Sequence, residues 1–524
     1  MSRRAVEQQK ALVRACEKGD DGAVKRLLKK GVNVDKANKA GDSPTAGFTP
    51  LTLSSHRGHD RCVRLLLGAG AKVNRCDKNG WNALILASHC GNQDCARMLI
   101  YKGANVNYAH QNGHTALTVA CQGGKEMCAL ALLDAEADIN ARLENGNTAL
   151  NFACATGLLE CVKRLLDTGA DAELADEKGL TPLMESAQHG QSMCTRALLE
   201  MGVDVQKRCD NGWTALMYAC LDGNEESARA LVESGASVNA ASNNGATALI
   251  SACQSGPRRE ACVRLLLESG AAVDASDNKG RSPLMEAASF FYDECVRLLL
   301  EGGANVNHVS QGGTTALMKA AMRGSYPCIV HLLRAGANVN ARRSCGFTSL
   351  MFASEKETPE CAIALINAKA NVDTSDIWGK QRAIVNACTC NRNEECVRAL
   401  LEAGADLGRS PGGEVPLEEA CRWGNKRICL ILVAYGADVP SGKLKLTTSD
   451  TQKTYKVPKG QSREWALRRL GELQWSPENH HLFPRAVRQR VRLALWVGMS
   501  LRRRYGHGAL LDVWIANVLP RLAQ

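Results

Sequence analysis

Aromatic side chains make up only 4% of the 524 residues, too few to anchor several large globular cores. No run approaches the roughly 18 apolar residues of a membrane span, and the best, Leu493 to Met499, is far too short. The opening Met-Ser-Arg-Arg-Ala-Val-Glu-Gln lacks the apolar stretch of a secretory signal, so neither a membrane nor a secreted protein is expected. Also missing are a phosphate-cradling glycine loop, a nucleophile beside a base, and the two spaced pairs of a zinc site. Net charge is absent from residues 1–440, which hold 49 Lys+Arg and 49 Asp+Glu. The whole excess of +11 lies in residues 441–524, with 16 basic against 5 acidic side chains, so the chain has two parts with different physics.

What is present is a repeat. A leucine-type position recurs at Leu12, Leu51, Leu84, Leu117, Leu150, Leu183, Leu216, Leu249, Leu284, Leu317, Leu350, Ile384 and Leu417, with most steps equal to 33 residues. Each unit reads Gly-x-Thr-(Ala/Pro)-Leu, a short helix, a glycine turn, a second helix ending Leu-Leu, then Gly-Ala-x-Val-Asn. Gly212-Trp213-Thr214-Ala215-Leu216 and Leu231-Val232-Glu233-Ser234-Gly235-Ala236-Ser237-Val238-Asn239 show it well. The threonine is placed to cap the first helix, and the glycine after the second helix ends it in a left-handed turn. No unit can bury its apolar face alone, so neighbours must stack, offering a long concave surface and no enclosed pocket.

These residues resemble the ankyrin-repeat pattern over about residues 1–440. The resemblance implies an all-α solenoid of about thirteen helix–turn–helix–hairpin units that binds proteins. The usual Thr-Pro-Leu-His has no His here, its place being taken by Thr52, Ile85, Asn151, Met217 or Met318, which predicts less rigid hairpins. Glu136 and Lys369 stand where a helix-ending Gly is usual, at about 1 kcal/mol each if the turn stays left-handed. Residues 33–46, 257–259 and 381–383 are irregular and are candidate soft points. The repeated Asn after Val (Asn74, Asn107, Asn140, Asn239, Asn307, Asn340) reads as structural; the resemblance also implies that such Asn can be hydroxylated.

There are 23 Cys. Eleven share one repeat position (Cys62, Cys95, Cys128, Cys161, Cys194, Cys262, Cys295, Cys328, Cys361, Cys396, Cys429) and seven another (Cys16, Cys121, Cys154, Cys220, Cys253, Cys388, Cys421). Ser88, Ala187 and Ala321 replace Cys at the second position, so the site wants a small buried residue, which free Cys supplies. Members of one ladder lie about 8–10 Å apart, beyond disulfide reach. So many free thiols fit the reducing cytoplasm or nucleus.

The scarce aromatics mark the candidate binding face. Trp81, Trp213 and Phe347 follow the hairpin Gly; Phe152, Tyr218 and Phe352 sit two residues after the repeat leucine, on the concave helical face; Phe290 and Trp423 lie near that helix's end. Aromatics dominate binding energetics at interfaces.

Residues 441–461 read as a linker or short hairpin, and residues 462–524 as a basic helical module. Four of the eight Trp fall there: Trp465, Trp475, Trp496 and Trp514. The segment from Trp475 to Pro484 resembles a tail that follows ankyrin repeats in algal and protist proteins. Arg485, Arg488, Arg492, Arg502, Arg503 and Arg504 are candidates for contacts to an acidic partner or, weakly, to nucleic acid. Adjacent His480 and His481 face different ways on a helix, which argues against a metal site, and no cofactor is implied. The chain is thus expected to be a non-catalytic, monomeric, intracellular scaffold or adaptor. A ubiquitin-ligase substrate adaptor acting through the tail, and a nucleic-acid-associated regulator, are the alternatives.

Overall fold

The computed structural model describes residues 3–37, 47–254, 259–390, 393–437, 442–447 and 452–457. Among them are twenty-six helices, two for each of the thirteen leucine positions, and one antiparallel strand pair. The irregular residues 38–46 and 255–258, and the proposed module 462–524 with its tail resemblance and all six candidate arginines, lie outside the described residues. The chain divides into two compact units, 1–272 and 273–524.

In the first unit eight helix pairs run from Arg3–Lys18 with Asp21–Lys29 to Ala248–Ala252 with Arg259–Glu268. From the second pair on, each first helix of this unit starts from an extended residue whose side chain caps it. Thr115 Oγ1 accepts from the Thr118 amide at 3.2 Å, and Thr118 Oγ1 accepts from the Thr115 amide at 2.9 Å, closing a reciprocal box. Thr49 with Thr52, and Thr148 with Asn151, do the same. The missing His therefore loosens little where Thr or Asn replaces it; at Met217 only the one-way cap from Thr214 is left.

Neighbouring repeats are tied by main chain and by amide side chains. At the finger tips the amides of Glu144, Glu177 and Asp210 donate to the carbonyls of Asn112, Asn145 and Lys178 at 3.0–3.3 Å. Behind the fingers, Asn74 Oδ1 accepts from the Asn105 amide at 2.7 Å, Asn107 Oδ1 from Asp138 at 2.8 Å, and Asn140 Oδ1 from Asp171 at 3.2 Å. The periodic Asn is a staple between repeats. At the turn between paired helices another Asn works across repeats: Asn92 Nδ2 donates to the Ser55 and His56 carbonyls, and Asn224 Nδ2 to Ala187 and Gln188. These carbonyls end a helix and need a donor. In the eighth pair Arg259, 2% exposed, takes over that task, donating to the carbonyls of Ser251, Ala252 and Leu221.

The second unit has five pairs, from Pro283–Ser289 with Asp293–Glu301 to Pro416–Arg422 with Lys426–Ala434. Ser282, Thr315 and Thr348 cap its first three first helices, whereas Arg382 and Val415 start the last two with no side-chain cap. Asn307 and Asn340 staple to the Asn338 and Asn371 amides at 2.7 Å each. Beyond the last pair, Gly442–Thr447 pairs antiparallel with Gln452–Val457, a short hairpin within the stretch 441–461.

Left-handed backbone at non-glycine residues is confined, among the described residues, to Glu136 (φ 56°), Phe291 (φ 67°) and Lys369 (φ 66°). The turns at Glu136 and Lys369 keep the geometry that glycine serves elsewhere. Phe291 stands where most other repeats place Gly between the paired helices, a backbone that a bulky residue adopts only at a cost.

All eighteen ladder cysteines are buried and none of the 23 is in a disulfide. Burial pushes the thiols of Cys16, Cys95, Cys161 and Cys396 up to about 12, locking them in the neutral form. Within one ladder the repeat spacing keeps the sulfurs apart. Across the ladders the sulfurs meet, with Cys421 Sγ 3.4 Å from Cys429 Sγ.

Candidate partner-binding face

The first helices of the pairs and the fingers form the inner side of each unit, and the sequence-selected aromatics can be placed on it one by one. In the first unit Trp81 is half-buried, stacked on His110 of the next finger at 4.5 Å and 14°, and 5.9 Å from His114. The Asp77 carboxylate fixes this finger by accepting from the Asn79 and Trp81 amides at 2.9 Å. Phe152 is half-buried. Trp213 and Tyr218, both half-buried, pack at 5.2 Å, joining a finger to its own helix. Tyr218 Oη lies 3.5 Å from Cys209 Sγ, and burial holds this phenol well above its usual range. In the second unit Phe347 and Phe352 make the corresponding pair at 5.1 Å; Phe347 is half-buried and Phe352 is buried at 8% exposure.

The same geometry therefore recurs: a finger aromatic held against an aromatic two residues after the repeat leucine. Such pairs are rigid before any partner arrives, which lowers the entropy lost on binding. The helix-end residues differ. Trp423 is 59% exposed, and Phe290, near Arg323 at 6.0 Å, borders the exposed Phe291.

Several exposed side chains escaped the sequence argument. Tyr101 at the end of Gln93–Tyr101 is 83% exposed and lies under the Lys102 ammonium at 5.4 Å. Trp378 and Ile377 stand out on a finger. Met127 and Met193 are exposed on second helices, and Met201 just past the end of one. A signal existed for Trp378, which sits in the irregular twelfth unit, and none for Tyr101, whose repeat position is otherwise varied.

Titratable groups on the inner side are perturbed mainly by burial. Burial and Arg57 hold His56 below its usual range, with His89 adding to it; burial, His110 and His89 do the same to His114. Burial raises the carboxyl of Glu185 despite His189 nearby. In the second unit burial likewise raises Glu286, although Arg281 lies 3.1 Å away. Among the described residues no group of three or more His, Cys, Asp or Glu is placed to hold a metal ion, and no helix is long and apolar enough to cross a membrane.

Paired helices capped by Thr, left-handed turns, stacked fingers and amide staples at a 33-residue period define a helical repeat protein. The family model for ankyrin repeats (3 copies) matches residues 12–110, 103–176, 159–242, 239–310, 302–376 and 350–442. The chain belongs to the ankyrin-repeat family, whose repeats are typically non-catalytic protein-interaction modules. Among solved structures, that of the human ASB11 ankyrin repeat domain is 30% identical, covering 44% of this chain and 100% of that one at a TM-score of 0.39. No curated protein matches the chain.

Proposed function

We propose that the chain is a non-catalytic scaffold or adaptor that binds protein partners through the inner faces of its units, with the basic residues 441–524 adding a second contact. The observation that carries this reading is the recurrent finger–helix aromatic pair, Trp213 with Tyr218 and Phe347 with Phe352. Trp213, Tyr218 and Phe347 are half-buried, with Phe352 buried beneath Phe347 as its support, and partly exposed aromatics held in place are the side chains that contribute most to protein interfaces. A monomer in the reducing cytoplasm or nucleus fits the 23 free thiols.

The test is affinity purification with mass spectrometry from nuclease-treated lysate. Full-length protein is compared with a Trp213→Ala/Phe347→Ala variant and with a chain ending at residue 440. Loss of partners from the aromatic variant and their retention by 1–440 supports the reading. The reverse pattern assigns recruitment to the tail and overturns it.

A further inference from the structure

The first unit carries a charge pattern on its inner side that its aromatics alone do not explain. Four consecutive first helices, Pro50–Arg57, Ala83–Cys90, Ala116–Gln122 and Ala149–Thr156, contain no Asp or Glu. In the unit's next repeat the corresponding helix, Pro182–Gln188, carries Glu185, and in the one after it Ala215–Leu221 is capped by Asp222. The acids of the acid-free stretch are placed elsewhere: Asp60, Asp94, Glu126 and Glu160 open second helices, and Asp77 is buried with Oδ1 bonded to backbone amides. Glu144 sits at a finger tip.

Of the five imidazoles in the same stretch, His59 is held at its turn by the Glu17 carbonyl, 3.1 Å away, and the other four lie on first helices and one finger. His56 and His89 come from helix ends, His110 and His114 from one finger. They are near enough that His89 influences both His56 and His114. Phe48 meets His56 edge-on at 5.7 Å, and Trp81 lies flat on His110. The buried Nδ1 atoms of His56 and His114 have no hydrogen-bond partner. Arg57 is exposed beside this group, its nearest acid, Glu17, being 3.8 Å away at the weak limit of an ion pair, and Lys125 lies at the next turn but one.

An aromatic platform ringed by cations and imidazoles, with no carboxylate on its helices, complements a negatively charged segment that also carries an apolar anchor. We propose that this face, spanning residues 48–125, docks an acidic peptide segment of a partner protein, an inference that rests on the protein-binding reading of the inner face. Nucleic acid is the weaker fit. Binding a phosphate backbone calls for rows of Lys and Arg, whereas the first helices and fingers of this stretch carry Arg57 and Lys78, with Lys125 at a turn. Arg61, Arg64 and Arg97 belong to second helices, and Lys72, Arg75 and Lys102 to the segments that follow them.

The experiment uses the full chain at 150 mM salt (roughly a physiological ionic strength) and a fluorescent twelve-residue peptide of alternating Glu and Leu with one Trp. The same peptide with Lys for Glu, and a single-stranded oligonucleotide of equal length, serve as controls. The acidic peptide is expected to bind at least tenfold more tightly than the basic one. Arg57→Glu/Lys125→Glu, and separately Trp81→Ala, are each expected to weaken it at least tenfold. Unchanged far-UV circular dichroism shows that the variants fold. A second variant, Arg502→Gln/Arg503→Gln/Arg504→Gln, is expected to leave the affinity within twofold. Equal binding of the basic peptide overturns the proposal. So does tighter binding of the oligonucleotide to the same face, or an acidic-peptide affinity that follows the tail variant and ignores Arg57 and Lys125. Native partners lost with Trp213→Ala/Phe347→Ala but indifferent to Arg57→Glu/Lys125→Glu would remove this inference and leave the broader reading standing.

Discussion

Replacing Glu136 or Lys369 by glycine should stabilise the protein. Both residues hold left-handed backbone, at φ 56° and 66°, and both side chains are exposed. The amide of each still donates to a helix carbonyl, Glu136 to Leu133 at 3.1 Å and Lys369 to Ile366 at 2.9 Å, and glycine keeps those bonds. Left-handed backbone costs a non-glycine residue about 1–2 kcal/mol. Glycine returns about 0.5–1 kcal/mol of that through its greater freedom when unfolded. The net gain is then about 0.5–1 kcal/mol per site, or a two- to fivefold change in a local opening constant. Long repeat arrays do not unfold as one two-state unit, so a global melt dilutes the effect. The informative assay is native-state hydrogen exchange read at Glu126–Leu133 for Glu136→Gly and at Pro359–Asn367 for Lys369→Gly. Gly103→Ala is the mirror experiment. At φ 79°, with no atom within 4 Å of an added Cβ, it changes conformational cost and nothing steric, and protection in Gln93–Tyr101 should fall by a similar factor. If Gly103→Ala lowers protection while both glycine substitutions leave it unchanged or lower it, the conformational argument fails.

Three further outcomes follow from burial. In native protein at pH 8, a thiol reagent should label only the half-exposed Cys76, Cys90, Cys345 and Cys390 quickly, the other nineteen reacting after denaturation; mass spectrometry of alkylated peptides checks this. Stability should fall as pH rises above about 9 in reducing buffer. Thiols such as Cys16, Cys95, Cys161 and Cys396 have folded values raised to about 12, so their stabilisation is full below the unfolded value of 9.0 and is lost between the two as the unfolded chain ionises. Urea midpoints at pH 8 and 10 measure it, and Cys→Ala substitutions at those four positions should flatten the dependence. Arg259→Ala leaves the Ser251, Ala252 and Leu221 carbonyls without this donor and should cost about 3 kcal/mol, seen as faster exchange in Ala248–Ala252.

The helix pairs were legible because the leucine period, the capping Thr and the turn Gly are local signals that tertiary packing reinforces. The left-handed turns at Glu136 and Lys369 were legible for the same reason, since the repeat fixed the backbone before the residue was read. Contacts between repeats were not. Nothing in the sequence pairs Cys421 with Cys429, because their approach depends on how two helices lean together. Arg259 looked like part of an irregular insertion, and only its 2% exposure and three carbonyl partners reveal a cap. Aromatics could be assigned to fingers and helices, but their exposure could not. Phe352 is buried and Tyr101 is bare, because exposure is decided by what the adjacent repeat offers.

The staples and finger bonds have a consequence for how such a chain can change in length. In the regular repeats of the first unit they join residues 31 or 32 positions apart, from Asn107 to Asp138, Asn140 to Asp171, Asn112 to Glu144 and Asn145 to Glu177. Excising 33 consecutive residues between Leu84 and Leu216 therefore rejoins equivalent positions, and the severed staples and finger bonds find substitutes at the same spacing. The joints are interchangeable parts. The stretch from Leu249 to Leu284 is longer by two residues and depends on Arg259 instead of Asn at its turn. A cut of 33 residues spanning that stretch would leave two residues over.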